Sequence, residues 1–356
     1  MMKLIHGGDI YSAAKQTGLA KEDLLDFSAN LNPLGMAPGV KKAIVDQIES
    51  CTCYPDPLCR ELTEALSRYH ELPGETILCG NGAADVIFRL IYAKRPKRAF
   101  VLAPTFAEYA IAMEAIETEV VEYLLEEAGG FEVTKDILEV IDESLDMLFI
   151  CNPNNPTGKV VPLELMTEIL EKCKETGTLL VVDECFNEFL EDEEAYSLMH
   201  LIEENPQLFI LKAFTKMYAI AGLRLGYGLT SNQDLMEKMY QCAQAWSVSS
   251  IAQIAGVAAL KEEAYVRETK KLIKEQRDYL QKALKTLGMK VYGSKANYIF
   301  FRCPLKIDLR EKTKAYGILI RSCDNYTGLD NSFYRIAVKS EKDNRRLIAC
   351  LEQIMK

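Results

Sequence analysis

Short apolar segments alternate with amphipathic segments along much of the 356-residue chain, and this alternation limits the fold more than any other feature. Such alternation predicts an α/β fold, in which a mostly parallel sheet is covered by helices on both faces. The predicted strands span residues 76–78, 98–102, 147–151, 178–182, 208–211 and 225–229. Helical patterns separate several of them, at residues 83–92, 163–175 and 234–244.

A second α/β unit follows the first. A long helical stretch at 250–287 is interrupted near 261–266, and strands are then predicted at 297–302, 318–321 and 333–338, before a closing helix at 342–355. The length suits one large domain plus a smaller one. We therefore expect three parts. These are an N-terminal segment at 1–45 that contributes to the substrate site and the small domain, a large domain at 46–260 and a small domain at 261–356.

Composition argues against several classes of partner. The net charge is −10, from 52 acidic and 42 basic residues, and no basic tract stands out, so we expect neither nucleic acid nor a membrane as partner. No run of eighteen apolar residues occurs, which predicts a soluble, cytoplasmic protein. Eleven scattered cysteines suggest reduced thiols. Cys51, Cys53 and Cys59 cluster without a second ligand pair, so no metal site is predicted.

Four polar residues occur in a fixed order, namely Asn155, Asp183, Lys216 and Arg224, and the first three follow predicted strands. A lysine on a turn can form a Schiff base with an aldehyde, and a buried aspartate can keep a pyridine nitrogen protonated. The asparagine can donate to a phenolic oxygen, and the arginine can bind a phosphate with its planar fork. Each residue alone has an ordinary structural explanation, as a helix cap or a solvated side chain. Together they are the groups that hold pyridoxal 5′-phosphate (PLP).

The three segments around Asn155, Asp183 and Lys216 resemble those of fold-type I PLP enzymes in the class I and II aminotransferase group. The similarity is greatest with threonine-phosphate decarboxylases and next with histidinol-phosphate aminotransferases, and it runs from His6 to the last predicted helix. The resemblance implies a large, mostly parallel sheet domain and a smaller α/β domain. It also implies a PLP-dependent enzyme in which Lys216 and Asp183 are the catalytic residues.

The resemblance assigns further residues to the cofactor. The segment 79–85 joins a strand to a helix through two glycines, and the backbone amides of Ala83 and Ala84 would hold the cofactor phosphate. Phe106 would stack on the pyridine ring, although a lone phenylalanine more often belongs to a core. Tyr54, in Tyr-Pro-Asp-Pro, would reach the PLP phosphate of a neighbouring subunit, which implies a homodimer. Without the resemblance, this motif would be a rigid proline-rich turn.

Substrate residues are predicted at both ends of the chain. Arg321 and Arg335 lie in apolar strand patterns, where a buried arginine needs an anionic partner, either an internal carboxylate or a substrate. Arg335 matches the substrate-anion arginine of the family. His6 and Asn30 lie in segments that resemble the decarboxylases, and the resemblance places them at the substrate phosphate and carboxylate. Asn155 is also placed at the substrate.

Two positions depart from the common aminotransferase pattern. Phe186 stands where many aminotransferases have a tyrosine that donates to the ring oxygen, although the decarboxylase branch is similar to this chain there. Ala213 stands where the family usually has a phosphate-binding serine. Thr215, Tyr54 and Arg224 then remain as predicted ligands of the cofactor phosphate.

The resemblance leaves two reactions open for a phosphorylated amino acid or amino alcohol. The first is decarboxylation of O-phospho-L-threonine, with O-phosphoserine as a related substrate, to aminopropanol phosphate, a cobalamin precursor. The second is transamination of histidinol phosphate with 2-oxoglutarate in histidine biosynthesis. PLP enzymes break the bond that lies perpendicular to the cofactor ring, so a few side chains that orient the substrate decide between them. A PLP-binding regulator is a third interpretation, but it would need room for a DNA-binding domain before His6.

Overall fold

The computed structural model describes residues 7–356 of the chain, and strands and helices alternate along most of it. The strands of this part of the chain are β1 (Leu25–Asp26), β2 (Ile77–Gly80), β3 (Arg98–Ala103), β4 (Glu119–Leu124), β5 (Met147–Cys151), β6 (Leu179–Asp183), β7 (Leu208–Ala213), β8 (Gly226–Leu229), β9 (Lys290–Val291), β10 (Tyr298–Arg302), β11 (Ile318–Leu319), β12 (Arg321–Ser322) and β13 (Phe333–Ala337).

The helices of the same residues are α1 (Ile10–Thr17), α2 (Pro38–Asp46), α3 (Arg60–His70), α4 (Ala83–Lys94), α5 (Glu108–Glu114), α6 (Leu163–Thr176), α7 (Phe214–Met217), α8 (Gln233–Gln241), α9 (Ser250–Ala259), α10 (Glu263–Thr286), α11 (Leu309–Lys314) and α12 (Glu341–Ile354). Side-chain caps begin several of them. Ser249, for example, accepts a hydrogen bond from the Ala252 N–H, which satisfies a free donor at the start of α9.

Seven strands form the central sheet in the order β2-β8-β7-β6-β5-β3-β4, and only β8 runs antiparallel to its neighbours. Strand β6 shows why the sheet needs helices on both faces. Its side chains Leu180 and Val182 enter one hydrophobic core, which includes residues of α3, α6 and α9. Leu179 and Val181 enter a second core, which includes residues of α4, α5 and α8. The predicted fold class is therefore confirmed.

A second, four-stranded antiparallel sheet has the order β12-β13-β10-β9, and the long helix α10 and the final helix α12 accompany it. Strand β1, near the N-terminus, pairs in parallel with β11, with Leu25 opposite Ile318 and Asp26 opposite Leu319. This pairing joins the beginning of the described chain to its C-terminal third. The domain limits at 45 and 260 stay predictions.

Most predicted elements are present, with small shifts at their ends. The helical stretch at 250–287 consists of α9 and α10, separated at the predicted break. The strand predicted at 318–321 is divided into β11 and β12, which belong to different sheets. The edge strand β4 was not predicted, because its exposed glutamates hide the apolar pattern of a strand.

Three structural observations bear on the predictions about membranes, metals and thiols. Within residues 7–356, no helix is long and apolar enough to cross a membrane. The same residues contain no group of three or more His, Cys, Asp or Glu side chains that could hold a metal ion. All eleven cysteines are free thiols, and only Cys51, Cys53 and Cys242 are exposed.

Candidate active site

A cavity of about 420 Å³ lies beyond the carboxyl ends of the parallel strands β5, β6 and β7, where ligand sites of open α/β sheets are found. It collects side chains that are far apart in the sequence. Eleven of the predicted site residues line it, namely Asn30, Ala83, Ala84, Phe106, Asn155, Asp183, Thr215, Lys216, Arg224, Arg321 and Arg335.

Lys216 lies in the short helix α7, directly after β7. Burial, followed by the positive charges of Arg335 and Arg224, lowers the pKa of its amine to about 8. The Lys216 side-chain nitrogen lies 5.9 Å from the centre of the Phe186 ring. Phe186 therefore places an apolar ring near the amine, at the position where many aminotransferases have a tyrosine. A larger share of this amine is therefore uncharged near neutral pH than for an ordinary lysine, which makes it a better nucleophile.

Asp183 ends β6 and is 5% exposed. One carboxylate oxygen, Oδ1, accepts the Cys185 N–H at 2.9 Å, and the other, Oδ2, accepts the phenol of Tyr109 at 2.5 Å. Burial, followed by the charge of Asp183, raises the pKa of Tyr109 well above its usual range. The tyrosine consequently stays a neutral donor, and the carboxylate is held from two sides. Such a fixed, buried anion can keep a pyridine nitrogen protonated.

The turn that ends at Gly82 and begins α4 forms a cup of backbone N–H groups, which we call the phosphate cup (residues 80–84). Gly82 has a φ of +85°, and a Cβ there would lie 2.6 Å from Arg224 Nη2. A Cβ at Gly226 would lie 2.5 Å from the Ala83 nitrogen, so glycine is required for the approach of β8. Free amides at a helix N-terminus beside a guanidinium suit a phosphate group.

The two departures from the family pattern lie in this region. Ala213 and Thr215 both line the cavity, and each is 7% exposed. Ala213 supplies no hydroxyl where the serine would be, whereas Thr215 has one. The amides of Ala83 and Ala84, the Thr215 hydroxyl and Arg224 thus remain as the phosphate-binding groups around the cavity.

Arg335 lies in β13 and is 5% exposed. Its Nη1 donates to the Asn155 side-chain oxygen, and its Nη2 donates to the Ser28 carbonyl at 2.6 Å. Its Nε is buried without a hydrogen-bond partner in the described structure. Within residues 7–356, no carboxylate lies within ion-pair distance of this guanidinium. The internal ion pair considered from the sequence is therefore not present there, and a buried cation with neutral partners favours binding of an anion.

Arg321 and Asn30 lie on the same cavity wall. Arg321 donates to the Asn325 side-chain oxygen at 2.6 Å, and its guanidinium lies 5.4 Å from the centre of the Tyr326 ring. Asn30 is 3% exposed, and its side-chain oxygen is buried without a hydrogen-bond partner in the described structure. An unsatisfied buried polar atom on a cavity wall is the kind of group that a polar ligand completes.

One predicted residue of the described chain, Tyr54, does not line this cavity. Tyr54 is 80% exposed and stacks on Trp246, with ring centres 4.6 Å apart, so within one chain it does not contact the site. His6 lies outside the described residues.

Several residues at the site were not predicted. Tyr109 donates to Asp183, the Ser28 carbonyl accepts from Arg335, and Tyr326 lies against Arg321. A backbone carbonyl has no signal in the sequence. Tyr109 did have one, because it lies three residues after Phe106 in a segment that was already assigned to the site.

Asn32 is a further residue that the sequence did not single out. Its side-chain amide donates to the Met217 carbonyl and to the Thr269 hydroxyl, both at 2.7 Å, and its backbone N–H donates to the Lys216 carbonyl at 3.1 Å. Asn32 is 4% exposed. It therefore joins the lysine-bearing turn to α10 from inside the protein.

Comparison with known proteins agrees with this geometry. The family model described as aminotransferase class I and II matches residues 22–351. The chain belongs to this family. Its members are PLP-dependent enzymes, which confirms the cofactor predicted from Lys216, Asp183 and Asn155.

Three relatives show how far the similarity extends. A threonine-phosphate decarboxylase of Salmonella typhimurium is 40% identical over 98% of this chain and 96% of its own. The crystal structure of a histidinol-phosphate aminotransferase from Clostridium acetobutylicum is 30% identical, with a TM-score of 0.88 over 93% of this chain and 99% of its own. A Sinorhizobium meliloti histidinol-phosphate aminotransferase, solved with pyridoxal 5′-phosphate, shares the fold at a TM-score of 0.87 and 20% identity, over 98% and 94% of the two chains.

Proposed function

We propose that this class I and II aminotransferase homologue is a lyase that decarboxylates O-phospho-L-threonine to aminopropanol phosphate. The observation that carries the proposal is the buried guanidinium of Arg335, which has neutral partners only among the described residues and shares one cavity with Lys216 and Arg321. A substrate with a phosphate and a carboxylate suits two arginines. The 40% identity to the Salmonella threonine-phosphate decarboxylase supports the same substrate.

The residues present fit PLP. The Ala83 and Ala84 amides, Thr215 and Arg224 would hold its phosphate, and Asp183 would hold the protonated ring nitrogen. When bound, PLP accepts electrons from the substrate Cα, which weakens whichever Cα bond is perpendicular to the ring. The Asn155 side-chain oxygen is engaged by Arg335, so its NH₂ group is left to donate to the ring oxygen.

The arginines decide which bond is presented. Arg335 and Arg321 bind the two anionic groups of the substrate and thereby fix its rotation about Cα. If the two arginines hold the substrate so that the bond to its carboxylate is the one that PLP would weaken, the leaving group would be CO₂. Lys216, whose pKa is about 8, holds the proton that must return to the substrate Cα after CO₂ has left, and delivers it from Nζ.

The second candidate is transamination of histidinol phosphate with 2-oxoglutarate, and it is favoured by the TM-score of 0.88 with the Clostridium aminotransferase. Histidinol phosphate has no carboxylate, so its Cα–H bond would take the perpendicular position. The same arginines would bind its phosphate. The two reactions therefore differ in product rather than in the general construction of the site.

The deciding experiment offers both substrates to the PLP-loaded protein. We expect labelled CO₂ from carboxyl-labelled phosphothreonine, slower release from O-phosphoserine, which lacks a methyl group, and no glutamate from histidinol phosphate plus 2-oxoglutarate. Lys216→Ala is the control that should abolish either product. Glutamate formation without CO₂ would reverse the assignment and make the chain a transaminase.

The proposal includes the cellular context. We expect a cytoplasmic homodimer in which Tyr54 completes the cofactor phosphate site of the neighbouring subunit, with aminopropanol phosphate used for cobalamin. The exposed Tyr54–Trp246 stack supports the shared site, and eleven free cysteines agree with a reducing compartment. Mixing Tyr54→Phe and Lys216→Ala chains tests the dimer. A shared site predicts that mixed dimers contain one native active site, whereas separate sites predict no recovery.

A further inference from the structure

Arg89 connects the helix that begins at the phosphate cup to the loop that carries Trp246. It lies in α4, one turn beyond the phosphate cup, and is 5% exposed. Its Nε donates to Asp85 Oδ1 at 3.0 Å, and its Nη2 donates both to Asp85 Oδ2 and to the Ser247 hydroxyl, the latter at 2.7 Å. One buried side chain thus bonds to the beginning of its own helix and to a distant loop.

On the first side, the connection reaches the phosphate cup. Asp85 Oδ2 accepts the Asn81 N–H at 2.8 Å, which fixes the turn before Gly82. That turn determines where the Ala83 and Ala84 amides point. A shift of the Arg89 guanidinium would therefore move the carboxylate that holds the cup.

On the second side, the connection reaches Tyr54. Ser247 follows Trp246, whose ring stacks on Tyr54 at 4.6 Å with an angle of 29° between the planes. The Gln253 side chain adds a second link, because its amide donates to the carbonyls of Asp56 and Val248, both at 2.9 Å. The turn that carries Tyr54 and the loop around Ser247 are consequently held together at two places.

A simple helix-stabilising pair does not account for this arrangement. An i,i+4 pair of Asp85 and Arg89 would be equally possible on a solvated helix surface, where it contributes little. Here the guanidinium is buried and its additional bond leaves the helix for Ser247. Burying a charged group is costly unless its donors are satisfied. The bond to Ser247 therefore offsets part of the free-energy cost of burying the Arg89 guanidinium.

We infer that Arg89 is a positioning residue that couples the phosphate cup of its own chain to the Trp246–Tyr54 stack. This inference rests on the proposed function in one respect, namely that Tyr54 serves the phosphate site of the neighbouring subunit. On that basis, Arg89 links the two cofactor phosphate sites of a dimer. Neither Arg89 nor Ser247 lines the cavity.

The first test uses Trp246, the single tryptophan of the chain, as a reporter. Inorganic phosphate is added to the full-length protein without PLP, because phosphate occupies the cup and does not absorb the emitted light. We expect a saturable change in Trp246 emission in the wild type. Ser247→Ala, which removes one bond, should reduce that change about threefold or more, while the phosphate affinity measured by calorimetry changes less than about threefold. Ser250→Ala is the matched control and should behave as the wild type.

The second test is a double-mutant cycle on PLP affinity, measured by absorbance titration. If the two residues act through one connection, Ser247→Ala should add less than about a factor of two to the loss caused by Tyr54→Phe. Multiplying effects would overturn the coupling, and so would a full emission response in Ser247→Ala. An unchanged PLP affinity in Tyr54→Phe would overturn the extension to the neighbouring subunit. A wild type that binds neither PLP nor phosphate would overturn the proposed function and the coupling together.

Discussion

The Tyr109 phenol donates to Asp183 Oδ2 over 2.5 Å; both side chains are buried, and Asp183 lines the cavity. Because the pKa of Tyr109 is raised well above its usual range, first by burial and then by Asp183, this donor stays protonated near neutral pH. The Cys185 N–H holds the second carboxylate oxygen. The two bonds fix the orientation of the carboxylate before any cofactor binds.

The first prediction concerns this pair. Tyr109→Phe leaves Asp183 Oδ2 without its donor, so we expect a loss of about 1–3 kcal/mol in the free energy of unfolding and weaker PLP binding. Urea unfolding and absorbance titration measure the two effects. Tyr227→Phe is the control, because that buried phenol bonds to His70 outside the cavity. It should lower stability and leave PLP affinity unchanged. Equal PLP affinity in both variants would contradict the role given to Tyr109.

The second prediction separates two lysines that are four residues apart, Lys216 and the buried Lys212. Lys216→Ala should remove the amine that becomes permanently attached to PLP when borohydride reduces the Schiff base, while non-covalent PLP binding remains. Lys212 forms an ion pair with Glu184 at 3.2 Å, and both side chains are buried. Lys212→Ala should keep the covalent link but lower stability by about 3–5 kcal/mol, because it leaves an unpaired buried carboxylate. Peptide mapping after borohydride treatment and thermal unfolding distinguish the two. A link that survives in Lys216→Ala would refute the assignment.

The third prediction is a pH dependence. The pKa of Lys216 is about 8 in the folded protein and 10.5 for an ordinary lysine, so the rate of PLP attachment to the cofactor-free protein should rise as pH increases through 8. Since the unfolded chain binds the additional proton between these values, the contribution of Lys216 to stability also rises with pH in that window. Lys216→Met should remove this contribution. In Arg335→Ala the attachment profile should move to higher pH, because a positive neighbour is lost. A profile that stays in place would show that Arg335 does not act on Lys216.

The fourth prediction concerns the substrate anion. Arg335→Ala should weaken productive binding of the phosphorylated substrate by about 2–5 kcal/mol, the cost of removing one partner of a buried charge pair. Cofactor absorbance should persist, because the phosphate cup and Arg224 are separate from Arg335. Arg302→Ala is the control, since that arginine lies in the same four-stranded sheet but pairs with Glu127. Release of PLP or unfolding with intact substrate affinity would support a purely structural role for Arg335.

Much of the fold and of the site follows from local sequence pattern. The apolar segments that end at Cys151, Val182 and Leu211 predict parallel strands, and the carboxyl ends of such strands meet at one edge, so Asn155, Asp183 and Lys216 were expected together. Other features depend on contacts between distant segments. The antiparallel direction of β8 has no local signal, because Gly226 and Gly228 carry no side chain from which a pattern could be derived.

The groups that hold the catalytic side chains were the hardest to predict. The Ser28 carbonyl accepts from an arginine 307 positions further on, and any residue type supplies a carbonyl. Tyr109 and Asp183 are 74 positions apart, and only the packing of α5 against the sheet brings them together. Tyr54 stacks on Trp246 at the surface, and no sequence pattern predicts that these two distant residues meet.

The bonds of Asn32 have a consequence for movement of the protein. Because its side-chain amide uses both of its N–H groups, one on the turn of Lys216 and one on Thr269 of α10, the lysine and the long helix share one anchor. If α10 rotated as a rigid body, it would either carry the turn of Lys216 with it or break one of these bonds. A movement of α10 and a displacement of the reactive amine are thus mechanically coupled.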